Sequence, residues 1–135
     1  MKIKYDINLM KFISLFEQIT RAKVKDCIDG TPLVFVVYPG EMAKAIGKKA
    51  ANVNKMEKLL NRKIKIIEFN DDVLKFVKNV IAPLKVEEVV MEEEKVVIKD
   101  PDKKKKGIII GREASNLNKY KAIVNRYFDV DIEVK

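Results

Sequence analysis

The sequence predicts an α+β fold made of two tandem copies of one unit, each with the element order α-β-β-α-α-β. The first observation is an internal repeat, because residues 46–62 read IGKKAANVNKMEKLLNR and residues 110–126 read IGREASNLNKYKAIVNR. Eight of these 17 positions are identical at a constant offset of 64 residues. Since a repeat constrains the architecture before any local pattern is considered, two units are expected, at residues 1–70 and 71–135.

The second observation is an apolar stripe that begins each unit at the same offset. Apolar residues recur there at i, i+3, i+4 and i+7, the spacing of an amphipathic helix. We therefore expect a helix over 7–20 with Asp6 as its N-cap, and a helix over 71–82 with Asn70 as the corresponding N-cap, ended by Pro83. The stripe residues are Leu9, Phe12, Ile13 and Phe16 in the first unit and Val73, Phe76, Val77 and Val80 in the second.

The remaining elements follow from local patterns and from the repeat. Residues 33–38, LVFVVY, are continuously apolar, as in a central strand covered on both faces, and Pro39-Gly40 ends this strand. The repeat predicts a helix over 103–110, although Gly107 and three isoleucines disfavour it. The other expected elements are strands at 23–28, 63–69, 84–91, 95–99 and 130–134, helices at 41–46, 51–61 and 115–127, and turns at 47–50 and 111–114.

The charge of the chain favours a polyanionic partner. The net charge is +8 and it is uneven, since residues 1–70 hold 14 Lys and Arg against 7 Asp and Glu, whereas residues 71–135 hold 14 against 13. A basic chain attracts nucleic acid or an acidic membrane surface. No apolar run approaches the roughly 18 residues of a membrane span. The N-terminus does not resemble a signal peptide, and the single Cys27 cannot form an internal disulfide, so a cytoplasmic protein without membrane association is expected.

Catalysis is not expected from this composition. The chain has no histidine, which is the commonest general base in enzymes. A single cysteine provides neither a Cys/His pair nor a cysteine-rich zinc site. The GxxxxGK[ST] phosphate loop is absent as well. The sequence therefore predicts no catalytic residue, no metal ligand and no cofactor.

Each four-residue turn has the chemistry of a phosphate-binding loop. Gly47 and Gly111 lack Cβ, so they can adopt φ > 0 and permit close approach of a sugar–phosphate backbone. The helix that follows presents unpaired N–H groups and the positive end of its dipole, which together attract anions. Lys48, Lys49 and Arg112 add positive charge beside each glycine, and such contacts hold phosphates without reading sequence.

Two features of the turns depart from a Gly-x-x-Gly pattern. Ala50 and Ala114 occupy the fourth positions, and because alanine disfavours φ > 0, each following helix is expected to start at this alanine. Glu113 offsets the charge of Arg112, which predicts weaker phosphate binding by the second turn. The lysine run at 103–106 either compensates for Glu113 or forms a solvated, lysine-rich turn.

Several side chains after the turns are further candidates for contact with a nucleic acid. The asparagines either bond the nucleic acid or the loop backbone, or they cap the start of the helix. Tyr120, Tyr127 and Phe128 either stack on bases or pack on an apolar face of the core, and their positions favour the core. The candidates in the two helices are Asn52, Asn54, Lys55, Asn116, Asn118 and Lys119.

A glycine-led turn between two helices is the element with which a K-homology (KH) module clamps single-stranded nucleic acid. Only 21 residues follow Ala114, enough for one helix and one strand, which favours the type II topology. With AIGKKAANV at 45–53, IIIGREASNLN at 108–118 and the 64-residue spacing, the chain resembles the archaeal NusA-like transcription factors, which consist of two type II KH domains.

The resemblance implies single-stranded RNA binding in transcription termination or antitermination. Its implied partners are a nascent transcript or rRNA, together with RNA polymerase or other transcription proteins. Two alternatives remain open, a KH protein of the ribosome or of RNA processing, and a protein-interaction scaffold whose degenerate loops no longer bind RNA. The RNA-binding residues implied at the turns are Gly47, Lys48, Lys49, Ala50, Gly111, Arg112 and Ala114.

Overall fold

The computed structural model describes residues 7–135, and none of the helices in this range has the length and apolar character to cross a membrane. The fold is mixed α+β, as the sequence predicts. Contacts between Cα atoms divide the chain into two compact units, one that ends at Asn70 and one that begins at Asp71. Asp6, the N-cap expected for the first helix, lies outside the described residues.

The first unit consists of three helices and a three-stranded mixed sheet. Strand β2 is central, antiparallel to β1 and parallel to β3. A 3₁₀ turn at Lys48–Ala50 connects the second and third helices. The elements are α1 (Ile7–Thr20), β1 (Val24–Ile28), β2 (Leu33–Val37), α2 (Met42–Ile46), α3 (Ala51–Leu60) and β3 (Ile64–Glu68).

The central strand β2 forms the middle of the first core. All five of its residues are buried, which confirms the expectation of a strand covered on both faces. The ring of Phe35 stacks on Phe16 of α1, with a distance of 4.3 Å between the ring centroids. Both side chains are fully buried, so truncation of Phe16 to alanine would remove about 3–5 kcal/mol of stability.

The second unit has the same element order and the same strand pairing. Strand β5 is central, antiparallel to β4 and parallel to β6. A 3₁₀ turn at Arg112–Ala114 again connects two helices. The elements are α4 (Val73–Ile81), β4 (Glu88–Glu92), β5 (Lys95–Lys99), α5 (Lys103–Ile110), α6 (Ser115–Val124) and β6 (Asp131–Val134).

The predicted N-cap of α4 at Asn70 is wrong. The N-cap is Asp72, whose carboxylate accepts a hydrogen bond of 2.9 Å from the N–H of Leu74. A carboxylate at this position satisfies an unpaired N–H group and interacts favourably with the helix dipole. The 64-residue offset thus aligns the apolar stripes of α1 and α4, whereas the start of α4 is determined by the local aspartate.

The helix predicted at 103–110 is confirmed despite its unfavourable residues. Asp102 caps α5 by accepting hydrogen bonds from the N–H groups of Lys104 and Lys105. Asp100, nearly buried before this helix, accepts from the N–H of Asp102 at 2.9 Å and from the N–H of Glu87 at 3.0 Å. These hydrogen bonds lower the pKa of the Asp100 carboxyl below its usual value, and the one from Asp102 has the largest effect. Capping and buried hydrogen bonding therefore outweigh the low helix propensity of α5.

Candidate nucleic-acid interface

The two glycine-led loops have nearly identical backbone conformations. Gly47 has φ 77° and ψ 168°, and Gly111 has φ 74° and ψ 173°. The third residue of each loop is left-handed, with Lys49 at φ 54° and ψ 36° and Glu113 at φ 56° and ψ 34°. The positive φ expected for both glycines is thus present, in a region of φ and ψ that is almost restricted to glycine.

The conformation expected for the two alanines is wrong. Ala50 has φ 59° and ψ 26° and Ala114 has φ 61° and ψ 22°, so both are left-handed and each ends a 3₁₀ turn before the α-helix begins. Helix α3 starts one residue later at Ala51, and α6 starts at Ser115. A left-handed residue with a Cβ costs roughly 1–2 kcal/mol. The flanking helices therefore impose on alanine the conformation that glycine adopts freely.

In each unit an asparagine side chain, Asn52 or Asn116, forms a hydrogen bond across the loop, and we call this hydrogen bond the clasp. The side-chain Nδ2 of Asn52 donates to the carbonyl oxygen of Lys44 at 2.8 Å, and Nδ2 of Asn116 donates to the carbonyl oxygen of Ile108 at 2.8 Å. Each bond joins the first turn of the helix after the loop to the last turn of the helix before it. Of the possible roles for these asparagines, the structure shows the bond to backbone, since neither α3 nor α6 has a side-chain cap.

Each asparagine also fills the space beside its loop glycine. A Cβ added to Gly47 would lie 2.8 Å from Nδ2 of Asn52, and one added to Gly111 would lie 2.8 Å from Nδ2 and Cγ of Asn116. Real Cβ atoms essentially never approach other atoms so closely. The glycines are therefore required both for their φ and for this contact. Sequence reasoning missed the clasp, although the five-residue spacing from glycine to asparagine in both copies was a usable signal.

The start of α3 has the features of an anion site. Its N-cap, Ala50, supplies no side-chain hydrogen bond to the first N–H groups of the helix. Lys48 and Lys49 are exposed and have no ion pair or side-chain hydrogen bond to any residue in 7–135. Lys55 is exposed in the first turns of α3. The positive end of the helix dipole, the absence of a side-chain cap and mobile cations therefore coincide at one loop.

The start of α6 repeats this geometry with a different charge. Its N-cap, Ala114, again supplies no side-chain hydrogen bond. Arg112 and Glu113 are both exposed, and neither forms an ion pair with the other or with another described residue. Lys119 lies exposed within the helix. The second loop therefore has one cation and one anion where the first has two cations.

The lysine run at 103–106 lies at the far end of α5 from the second loop. Residues 104 and 111 are separated by seven positions, or about 10 Å along a helix. Lys105 forms an ion pair of 3.3 Å with Asp100, while Lys103 and Lys104 are exposed. The run thus occupies the first turn of a capped helix, and within residues 7–135 none of its lysines forms an ion pair with Glu113.

The aromatic residues of the second unit contribute to its core. The ring of Tyr127 meets Phe76 edge-on at 5.5 Å, and that of Phe128 lies 5.8 Å from Phe76. The core role that the sequence favoured for these two side chains is thus confirmed. Tyr120 is partly buried, and this burial raises the pKa of its hydroxyl.

No group of three His, Cys, Asp or Glu side chains within the described range is arranged to hold a metal ion. Cys27 is a buried free thiol of strand β1.

Comparisons with known proteins agree with this geometry. The model of the KH domain family matches residues 12–89, which include all of the first loop. The "Probable transcription termination protein NusA" of Halococcus morrhuae is 31% identical over 134 residues, which cover 97% of this chain and 96% of that protein. The protein of the same name from Methanococcus vannielii is 40% identical over 90 residues, covering 66% of this chain and 52% of that protein.

A solved structure extends the likeness to three dimensions. The "Crystal structure of APE1850" superposes with a TM-score of 0.75 at 26% sequence identity, covering 97% of this chain and 100% of that chain. The family match and the relatives define the class as KH-domain proteins. The chain belongs, within that class, to the archaeal NusA-like proteins.

Proposed function

We propose that the chain is a single-stranded RNA-binding transcription factor composed of two tandem type II KH domains, residues 1–70 and 71–135. The observation that carries the proposal is the pair of loops with matching dihedral angles, each placed before a helix that has no side-chain cap. A phosphate beside such a loop meets the positive end of a helix dipole that no side chain of the N-cap residue occupies. Two such sites in one chain are suited to a continuous polyanion.

The first loop is the stronger phosphate site in this proposal. Gly47 supplies the positive φ that shapes the loop, and left-handed Ala50 directs the chain into α3. Lys48 and Lys49 contact phosphates from the exposed loop, and Lys55 extends the positive surface along the helix. Asn52 contributes indirectly, because its side chain holds the loop in shape. These contacts secure the strand without distinguishing one base from another.

The second loop supplies the corresponding contacts in the second domain. Gly111, Ala114 and Asn116 repeat the backbone arrangement, while Arg112 and Lys119 provide the exposed cations. Glu113 lowers the positive potential of this loop, so its phosphate contacts are weaker.

The biological role proposed is in transcription termination or antitermination, without catalytic activity and in the cytoplasm. It is supported by relatives named as probable transcription termination proteins. The RNA would then be a nascent transcript, and RNA polymerase or other transcription proteins would be the protein partners.

Two alternatives have less support. A KH protein of the ribosome or of RNA processing would use the same loops on rRNA. A scaffold without RNA binding is suggested by the alanines at the fourth loop positions and by Glu113. Because both alanines adopt the left-handed conformation, the loop backbone is kept and only Glu113 still favours the scaffold.

Crosslinking of RNA to the full chain in cells, followed by sequencing, tests the proposal. We expect nascent transcripts to be enriched over rRNA, and a Lys48→Asp, Lys49→Asp double variant to recover much less RNA at equal protein abundance. Enrichment of rRNA would favour the ribosomal alternative. Recovery of no RNA above background, together with a stable protein complex, would favour the scaffold.

A further inference from the structure

The two loops present different side chains from matching backbones. The third loop residue is Lys49 in the first unit and Glu113 in the second, and their φ and ψ angles each differ by only 2°. Because the backbone fixes the direction of the Cα–Cβ bond, the two side chains leave their loops in the same direction. An ammonium group in one unit is thus replaced by a carboxylate at the equivalent point of the other.

A second replacement lies one helical turn before each glycine. Lys44 in the first unit corresponds to Ile108 in the second at the same 64-residue offset. The side chain of Lys44 is 60% exposed and forms an ion pair of 3.3 Å with Glu41. Ile108 is 55% exposed, which places a large apolar side chain in solvent next to the loop. The clasp from Asn116 to the carbonyl of Ile108 holds this residue at the loop.

These replacements make the second loop less suited to a phosphate than the first loop and better suited to a base. A carboxylate repels phosphate but accepts hydrogen bonds from N–H donors on base edges. Glu113 is exposed and has no partner within residues 7–135, so both of its oxygens are available to a ligand. An exposed aliphatic side chain provides van der Waals contact for the flat face of a base, which a lysine ammonium at that position would leave hydrated.

We propose that the second loop recognises a guanine, with Glu113 accepting hydrogen bonds from its N1–H and N2–H groups and Ile108 packing against a base face. This inference rests on the proposed RNA binding. Guanine is chosen because its Watson–Crick edge carries two adjacent donors, which match the two oxygens of a carboxylate. Uracil has one donor between two carbonyl oxygens that repel a carboxylate, and adenine and cytosine each pair one amino group with a ring acceptor.

In this proposal the first loop binds the phosphates of the RNA strand, and the second loop recognises one of its bases. Lys48 and Lys49 supply contacts that tolerate any sequence, while Glu113 adds a contact that depends on one base. The two functions are divided between loops whose backbone is the same.

The test compares two uridine oligonucleotides of equal length, one with a single central guanosine and one with inosine at that position. Inosine lacks only the 2-amino group, so the pair isolates one of the two proposed hydrogen bonds. We expect the full chain to bind the guanosine strand about five- to tenfold more tightly, the low end of the range for specific base contacts. Glu113→Gln, which keeps the size of the side chain, should lower this ratio, because its amide has one acceptor oxygen and its NH₂ group opposes a guanine donor.

Lys49→Gln is the matched control at the equivalent position of the first loop. It should weaken binding of both strands by the same factor, because a phosphate contact does not sense the 2-amino group. Ile108→Ala should likewise weaken both strands while the ratio persists, since the face of the base is the same in guanosine and inosine. Thermal unfolding by circular dichroism verifies that each variant is folded.

The outcomes separate this inference from the function on which it rests. Equal affinity for the two strands, or a ratio that is unchanged in Glu113→Gln, overturns guanine recognition and leaves RNA binding intact. Unchanged affinity in Ile108→Ala overturns the apolar contact. If neither strand binds at low salt, RNA binding itself fails.

Discussion

The two units keep the same loop backbone and change the chemistry of the exposed side chains that it carries. The clasps from Asn52 and Asn116 have the same length, 2.8 Å, and the glycines beside them differ by only a few degrees. The exposed third loop residue, in contrast, has changed the sign of its charge, from Lys49 to Glu113. The comparison teaches that one loop conformation can carry side chains of opposite charge at the same position.

The tips of the two β-hairpins, in contrast to the loops, differ in their backbone as well as in their side chains. Arg62 donates to the carboxylate of Asp29 at 2.8 Å and to the carbonyl of Gly30 at 2.6 Å, and the first contact lowers the pKa of Asp29. The same offset leads to Glu93 and Glu94 in the second unit, where φ is 49° and 68°. Here both the residues and the backbone conformation have diverged, as expected for turns that do not form a shared site.

The largest effect is expected from adding a methyl group to the glycine of either loop. Gly47→Ala and Gly111→Ala should each lower the free energy of unfolding by about 1–3 kcal/mol, since both positions require positive φ and both face a clasping asparagine. Chemical denaturation measures this decrease. Gly107→Ala is the control, because a Cβ added there, within α5, would meet no atom within 4 Å apart from the helix's own backbone, and the variant should gain up to about 1 kcal/mol of stability. Unchanged stability of Gly47→Ala and Gly111→Ala would refute the requirement for glycine at the loops.

The next effect concerns the difference in charge between the loops. Lys48→Asp with Lys49→Asp should weaken RNA binding roughly tenfold or more, and should reduce the dependence of log affinity on log salt by about 0.7 for each phosphate that the variant no longer neutralises. Arg112→Asp should weaken binding less, because Glu113 already lowers the potential of its loop. Titrations at several salt concentrations give both quantities.

Lys75→Asp with Lys78→Asp is a control of equal charge change on exposed positions of α4. It should alter affinity much less than the loop variant. Equal decreases in affinity at the two loops, or a larger decrease at Arg112, would contradict the ranking of the units.

The smallest effect should be equal in the two units. Asn52→Ala and Asn116→Ala each remove one hydrogen bond to a backbone carbonyl and should lower the free energy of unfolding by about 1 kcal/mol. Asn54→Ala, at an exposed neighbouring position, should change it by less than about 0.5 kcal/mol. Urea unfolding measures the free energy of unfolding of the three variants, which can be compared when its dependence on urea concentration is the same in each. A clear inequality between Asn52 and Asn116 would mean that the two loops are not held alike.

The sequence predicted what depends on local pattern and on the repeat. Helices at 7–20 and 103–110, the central strand β2 and the positive φ of Gly47 and Gly111 all agree with the structure. These features follow from apolar periodicity, a continuous apolar run and the absence of a Cβ.

The failures lie where tertiary contacts or a competing local residue decide. Alanine propensity favoured a helical Ala50, but closure of the loop between α2 and α3 imposes a left-handed conformation. Asn70 was expected to cap α4, but Asp72, two residues nearer, accepts the N–H bond. The partner of Asn52 depends on the packing of two helices, so spacing identified the residue and left its role open. No comparable test exists for the candidate RNA contacts, which stay predictions.

The clasp also exposes the loops to chemical ageing. Hydrolysis of the Asn52 side-chain amide to a carboxylate would replace its N–H donor by an oxygen facing the carbonyl of Lys44, now only 2.8 Å from Nδ2. The bond would become a repulsion, and the loop would open without any cut in the chain. The helical backbone of α3 opposes this reaction, since the cyclic intermediate requires the following peptide nitrogen to reach the side chain. The rate at which each loop loses its clasp by this hydrolysis is therefore limited by the helix that follows the loop.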